Sequence, residues 1–290
     1  MRWLRSFPPV CISRHDSPLS RGPRADPDKD ASARNVRGAN NHHGIGWIVQ
    51  VLPYIEQRAL GDKWDFTTNV WGNRQLAETE IGLLYCPSRR GAPRAEDLGM
   101  MVPEGLQGGG TDYGACTSAA NSWHNGWFHE YVDGPVFWGE GGSEIGIFVP
   151  NVGCTAAEVR DGMSNTVMLG ELQRVWMSDA RARELGFNLA KTHGNWQNTV
   201  WAFRSVDGWA TGGVGSAFAL GHNPGADAMA AYNTAALNNG FFENPGSEHP
   251  EGCHLSMADG SVRFFGNFTD PLLLKCLGSR AGGEVANAPD

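Results

Sequence analysis

Charge is scarce in this sequence: only 19% of residues are charged, against 39 glycines and 11 tryptophans. That mixture argues against a helical bundle and for a loop-rich β protein. The balance is acidic, with a net charge of -8 and no Lys/Arg cluster in the body of the chain, which argues against the basic stripe that nucleic-acid binding requires. No apolar run approaches the roughly 18 residues needed to span a bilayer. None of the six cysteines (Cys11, Cys86, Cys116, Cys154, Cys253 and Cys276) falls in a C-x-x-C spacing, so a zinc ribbon or a thioredoxin-like dithiol is disfavoured. Disulfides remain open, Cys86 with Cys116 being the first candidate pair, and separate buried thiols are the alternative. H-E-x-x-H, P-loop, G-x-S-x-G and dinucleotide fingerprints are all absent, and so is any repeat of solenoid period. The chain therefore reads as noncatalytic, with no cofactor expected beyond a possible calcium ion.

What is present is organised unevenly. Residues 1 to 43 hold seven Arg, one Lys and four Asp, with Pro8, Pro9, Pro18, Pro23 and Pro27 scattered through them. Such a stretch buries too little apolar surface to offset chain entropy, so disorder is expected there and a single globular domain over 44–290. From Gly46, the residues Trp47, Ile48, Val51, Leu52 and Ile55 form a helical stripe, with a kink or restart expected at Pro53. A short helix is expected around Gln75 to Ile81, and Leu83-Leu84-Tyr85-Cys86 reads as a buried strand stopped by Pro87. Thr111 to Ala120, Val136 to Trp138, Ile145 to Val149 and Thr166 to Glu171 read as strands, and Ser178 to Leu185 as a helix. Thr155-Ala156-Ala157-Glu158 fits the capping box. Asp270-Pro271 through Gly278 carries an N-cap, a first-turn proline and a terminal glycine, with Leu272, Leu273, Cys276 and Leu277 expected to pack inward.

The sharpest local signal is Asp259-Gly260 between two alternating segments, the signature of a type I′ two-residue hairpin turn. That turn sets Met257 opposite Val262 and Leu255 opposite Phe264. Cys253, Leu255, Met257, Val262 and Phe264 then share the core face, leaving His254, Ser256, Ser261 and Arg263 toward water.

His249, nine further residues and Asp259-Gly260, followed by Arg280-Ala281-Gly282-Gly283-Glu284, resemble the C-terminal H-X9-DG signature of a large bacterial family of type IV prepilin-like proteins of unknown function. Three more blocks agree in order: Gly46-Trp47 to Leu52-Pro53-Tyr54-Ile55-Glu56-Gln57, Cys86-Pro87-Ser88, and Asp161-Gly162-Met163-Ser164-Asn165-Thr166 to Glu171. The resemblance covers roughly residues 44 to 285 and implies an α+β, pilin-like antiparallel sheet packed on a helix, with long loop-rich insertions. It further implies a pseudopilin-like structural or surface protein of the cell envelope, with other pilin-like subunits or envelope proteins as partners. Membrane attachment in that family comes from an N-terminal leader and apolar helix not found in residues 1 to 43. Either the natural reading frame supplies them or this is a truncated paralogue; the first is the expectation.

Three chemical readings compete with purely structural roles. His249 and Asp259 suit a catalytic pair or metal ligands, although Asp259 is explained by its turn and His249 as a loop anchor. His254, on the outward face, points away from any such centre. Asp161, Asn165 and Glu171 offer hard oxygen ligands for calcium within a loop whose composition also suits any turn. Trp123, Trp127 and Trp138, interleaved with Asn and His, suit a platform for glycans or peptides as well as they suit core filling.

Overall fold

The computed structural model describes residues 6–9, 11–12, 45–66, 70, 72–92, 108–119, 145–148, 153–172, 208–210, 217–220, 237–238 and 244–283. Along the chain these form β1 (Ser6–Phe7), β2 (Cys11–Ile12), β3 (Ile45–Gly46), α1 (Trp47–Val51), α2 (Arg58–Gly61), α3 (Arg74–Ala77), β4 (Tyr113–Ser118), β5 (Cys154–Thr155), β6 (Val167–Glu171), β7 (Ala217–Ala219), β8 (Gly252–Met257), β9 (Val262–Gly266) and α4 (Pro271–Gly278). The content is α+β. Its centre is a five-stranded sheet in the order β7-β4-β6-β8-β9. All its pairs are antiparallel except β4 with β7, so the sheet is mixed rather than purely antiparallel.

Alternation along the strands divides the core. Ala115 on β4 and Ala217 on β7 face a cluster built on Trp47, Ile48 and Leu52, whereas their neighbours Cys116 and Phe218 face a second cluster with Leu255, Leu274 and Leu277. The sheet is thus covered on both faces, by the α1 segment and by α4, rather than on one. Pro53 does what its missing N–H dictates: α1 stops at Val51 and a 3-10 turn restarts over Leu52–Tyr54 with the proline in its first turn. In α4, Asp270 accepts a hydrogen bond from the Leu272 N–H at 2.8 Å. Its buried face is Leu274 and Leu277, while Leu272 is 70% exposed, so the expected stripe was right at Leu277 and wrong at Leu272. The capping box is formed, both the N–H and the hydroxyl of Thr155 donating to Glu158 at 2.7 Å. Partial burial pushes the Glu158 carboxyl up, but those two donors and Arg280 hold it below the ordinary glutamate value.

Several expectations are corrected. Gly82–Leu84 is a 3-10 turn and not a strand, and Leu83 is 65% exposed, because an apolar run this short has no periodicity to fix its conformation. Within the 1–43 segment expected to be disordered, β1 pairs with β5 and β2 with β3. The Gln50 amide also donates to the Pro9 carbonyl at 3.1 Å, so these short pieces gain backbone partners on the folded body. Val136 to Trp138 and Ser178 to Leu185 lie outside the described residues. Cys86 and Cys116 do not form a disulfide: Cys116 is buried in the α4-side cluster, near the carbonyls of Ser118 and Gly278, and Cys86 faces Glu171.

The hairpin register is the most consequential correction. The β8 and β9 strands pair Ser256 with Val262, His254 with Phe264 and Cys253 with Phe265. The Gly260 N–H donates to the Met257 carbonyl, and the Met257 N–H donates to the Ser261 carbonyl. Gly260 has φ +87 whereas Asp259 is not among the positive-φ residues, so the loop is a type I turn closed by a left-handed glycine, not the two-residue type I′ form. The added loop residue slides β9 by one position and exchanges its faces. Val262 (63% exposed) and Phe264 (48%) therefore face outward and Phe265 (2%) enters the core. A Cβ at Gly260 would meet nothing within 4 Å, so Gly260→Ala costs only the left-handed backbone, about 1–2 kcal/mol in a urea melt, with Gly260→Asn costing less.

Candidate functional site

The end of β6 carries Glu171, and three other elements close around it. β4 pairs alongside, matching Tyr113 with Glu171, while β8 lies on the other side of β6. The Gly246 N–H donates to the Glu171 carbonyl at 2.9 Å, which docks the segment leading to His249 against the strand end. Ser247 then fixes that segment locally: its hydroxyl donates to the Gly252 carbonyl at 2.8 Å and accepts from the His249 N–H at 3.1 Å.

Three side chains converge as a result. Glu171 Oε1 lies 3.0 Å from His249 Nε2 and 3.5 Å from Cys86 Sγ, and the thiol and imidazole are 3.6 Å apart. Cys86 and Glu171 are buried and His249 is partly so. The second carboxylate oxygen accepts from the His254 N–H at 2.6 Å and sits 3.3 Å from His254 Nδ1. The His249 and His254 rings meet edge to face with centroids 4.8 Å apart, and the Phe264 and His254 rings meet in a similar edge arrangement at 5.1 Å. Burial first, and then the charge of Glu171, push the Cys86 thiol above its ordinary value, which keeps it protonated near neutrality and unsuited to act as a nucleophile. The Tyr113 hydroxyl bonds to the same sulfur; burial and the neighbouring Cys86, Glu171 and Asp112 raise it to about 12.

Beneath this cluster lies a buried ion group. Asp112 Oδ2 accepts from the Cys86 N–H at 2.9 Å, and Oδ1 accepts from Arg90 Nε at 2.8 Å and from Arg89 Nη1. Arg90 also lies over the Tyr85 ring at 5.3 Å. The turn that carries Cys86 is therefore held from below by charge and from above by Glu171.

The other anticipated residues fall elsewhere. Asp259 is at the exposed hairpin tip, where its carboxylate accepts from the Ser261 hydroxyl and N–H at 2.7 and 2.8 Å; those two donors hold it below the ordinary aspartate value. It is not brought to His249. Asp161 accepts from the Gly282 and Gly283 N–H groups at 2.7 and 2.9 Å and from the Ser279 hydroxyl at 3.0 Å. Asn165 donates to the Asp161 backbone carbonyl, and Thr166 to that of Gly162, with Ser164 in the same turn. Glu171, at the far end of β6, does not join Asp161 and Asn165, so the three proposed calcium ligands are not assembled. Trp123, Trp127 and Trp138 lie outside the described residues.

A family model described as protein of unknown function (DUF1559) matches residues 5–272. The chain belongs to that family. No curated protein and no solved structure matches the chain. In this DUF1559 chain, residues from three separated sequence blocks, Cys86, Glu171 and His249, meet at one point, and the Asp161 block meets the Ser279–Gly283 turn at another. From sequence, Cys86 reads as a disulfide partner or a separate buried thiol and His254 as outward-facing, and nothing marks Asp112, Arg89, Arg90 or Tyr113. The available signal was that Cys86, Glu171 and His249 stand in three different sequence blocks and are each of a ligand type.

Proposed function

We propose that this DUF1559 protein is a noncatalytic, prepilin-like structural or surface protein of the cell envelope, packing against pilin-like or other envelope subunits. The observation that carries the reading is how the residues of its sequence blocks are used. Asp161 binds the Ser279–Gly283 turn, Asp259 closes its own hairpin, and Glu171 ties β6 to His249 and to the backbone of His254. These residues hold the C-terminal hairpin and the turn after α4 onto the sheet, as a structural module requires. The outer strand β9 supports a packing role: it ends the sheet order and turns Val262 and Phe264 toward solvent, a surface suited to a neighbouring subunit. Among the described residues no helix is long and apolar enough to cross a membrane.

Fractionation of cells producing the protein from its own locus tests this, with a photo-crosslinking residue at Val262. Recovery in the envelope fraction, with crosslinks to envelope proteins, is the expected result. Recovery in the cytosol without crosslinks overturns the proposal.

A further inference from the structure

We infer that Cys86, Glu171 and His249 form a binding site for one divalent transition-metal ion of the zinc class. The three ligand atoms come from a turn, a strand end and a loop, yet they face one another at 3.0, 3.5 and 3.6 Å. A tetrahedral zinc ion binds sulfur at about 2.3 Å and nitrogen or oxygen at about 2.0–2.2 Å, which sets ligand-to-ligand edges of roughly 3.4–3.6 Å. The two edges at sulfur already have that length. The His249–Glu171 edge, now spanned by a hydrogen bond, has to open by only about 0.4 Å.

Donor chemistry selects the ion. A thiolate, an imidazole and a single carboxylate oxygen suit zinc and its tetrahedral analogues, while calcium and magnesium require mostly oxygen. On binding, the Cys86 sulfur loses its proton to solvent and forms the metal bond. His249 releases to solvent the Nε2 proton it now donates to Glu171, carries its remaining or newly taken proton on Nδ1 and presents the Nε2 lone pair, and Glu171 presents Oε1. A water completes the four ligands zinc takes.

The surroundings supply outer partners of the kind metal sites depend on. The His254 N–H fixes Glu171 Oε2 at 2.6 Å, so Oε1 is aimed at the thiol and imidazole. Tyr113 hydrogen-bonds to the sulfur, and the Asp112 carboxylate holds the Cys86 N–H. The ion would join segments 85 and 163 residues apart in sequence, a clasp between the Cys86 turn, the sheet and the C-terminal hairpin. This site and the envelope role stand or fall separately, since the first is read from the ligand geometry at Cys86 and the second also from Asp161, Asp259 and the exposed outer strand β9.

The test uses the full chain, stripped with a chelator and titrated with Co²⁺. One equivalent should produce a thiolate-to-cobalt charge-transfer band and tetrahedral visible bands, both bleached by Zn²⁺. Cys86→Ser should abolish the charge-transfer band, and His254→Ala, which removes the ring 3.3 Å from Glu171 Oε2 but keeps the backbone N–H that fixes that oxygen, should weaken Zn²⁺ binding by about tenfold or less without abolishing it. Absence of the band in the wild type, or its persistence at unchanged affinity in Cys86→Ser, overturns the site. Should Cys86→Ser fail to fold, X-ray absorption on the wild-type zinc form decides: one sulfur in the first coordination shell supports the site, and nitrogen and oxygen alone overturn it.

Discussion

Replacing Asp112 by alanine should destabilise the protein by about 3–5 kcal/mol, enough to remove much of the stability of a domain whose total is about 5–15 kcal/mol. The side chains of Asp112, Arg89 and Arg90 are each 1% exposed, so none of the three charges has water to fall back on. One carboxylate answers both guanidinium groups and also accepts the Cys86 N–H. Its removal takes from two cations in a low-dielectric interior the carboxylate that both point at, and contacts such as the Tyr85 ring, the Thr111 carbonyl 3.5 Å from Arg90 and Glu248 3.6 Å from Arg89 do not replace it. The cost measured is therefore that of stranding the cations, not the worth of the ion group itself. Two controls separate these quantities. The joint change Arg89→Met, Arg90→Met and Asp112→Leu removes every charge together and should cost far less than Asp112→Ala alone. Glu78→Ala, which breaks the solvent-exposed pair with Arg74, should fall within about 0.5 kcal/mol of wild type. Urea melts of the four proteins provide the comparison; equal losses for Glu78→Ala and Asp112→Ala would refute the assignment of a buried ion group.

How far the sequence revealed this arrangement depends on the distance over which each signal acts. The α4 ends, the restart at Pro53 and the Thr155–Glu158 capping box are all legible, because each is decided by residues within about one turn of each other. The Cys86 cluster is not, since His249 and Glu171 are 78 residues apart and Cys86 is 163 from His249. They meet only because β6 lies between β4 and β8, and no periodicity in any one strand specifies its neighbours. The outward direction of His254 was legible, but not that the Glu171 carboxylate reaches its backbone N–H from the adjacent strand. The parallel β4–β7 pair was hidden for the same reason: Ala115 and Cys116 are small residues, and their alternation reads as neither face until the sheet is assembled.

The hairpin shows how a single loop residue governs a whole strand, and it supplies the second large effect. Phe265→Ala should cost about 3–5 kcal/mol, while Phe264→Ala, one position away, should cost about 1 kcal/mol. Asp259-Gly260 fits two turns equally well by composition. In the two-residue form both residues take positive φ and Phe264 points into the core opposite Leu255; in the three-residue form only Gly260 does, and Phe265 takes the core position opposite Cys253. The observed bonds, Gly260 N–H to Met257 and Met257 N–H to Ser261, belong to the second. Packing explains the preference. Phe265 joins Cys253, Leu255 and Met257 against Leu274 and Leu277 of α4, and Asp259 in this turn is free to accept two hydrogen bonds from Ser261. Phe264, outside, keeps the edge of His254, the backbone of Gly252 and part of its area. Chemical denaturation of the two alanine variants reads the register directly: the reverse order of costs would place the hairpin in the two-residue form, with Phe264 inside and His254 opposite Phe265.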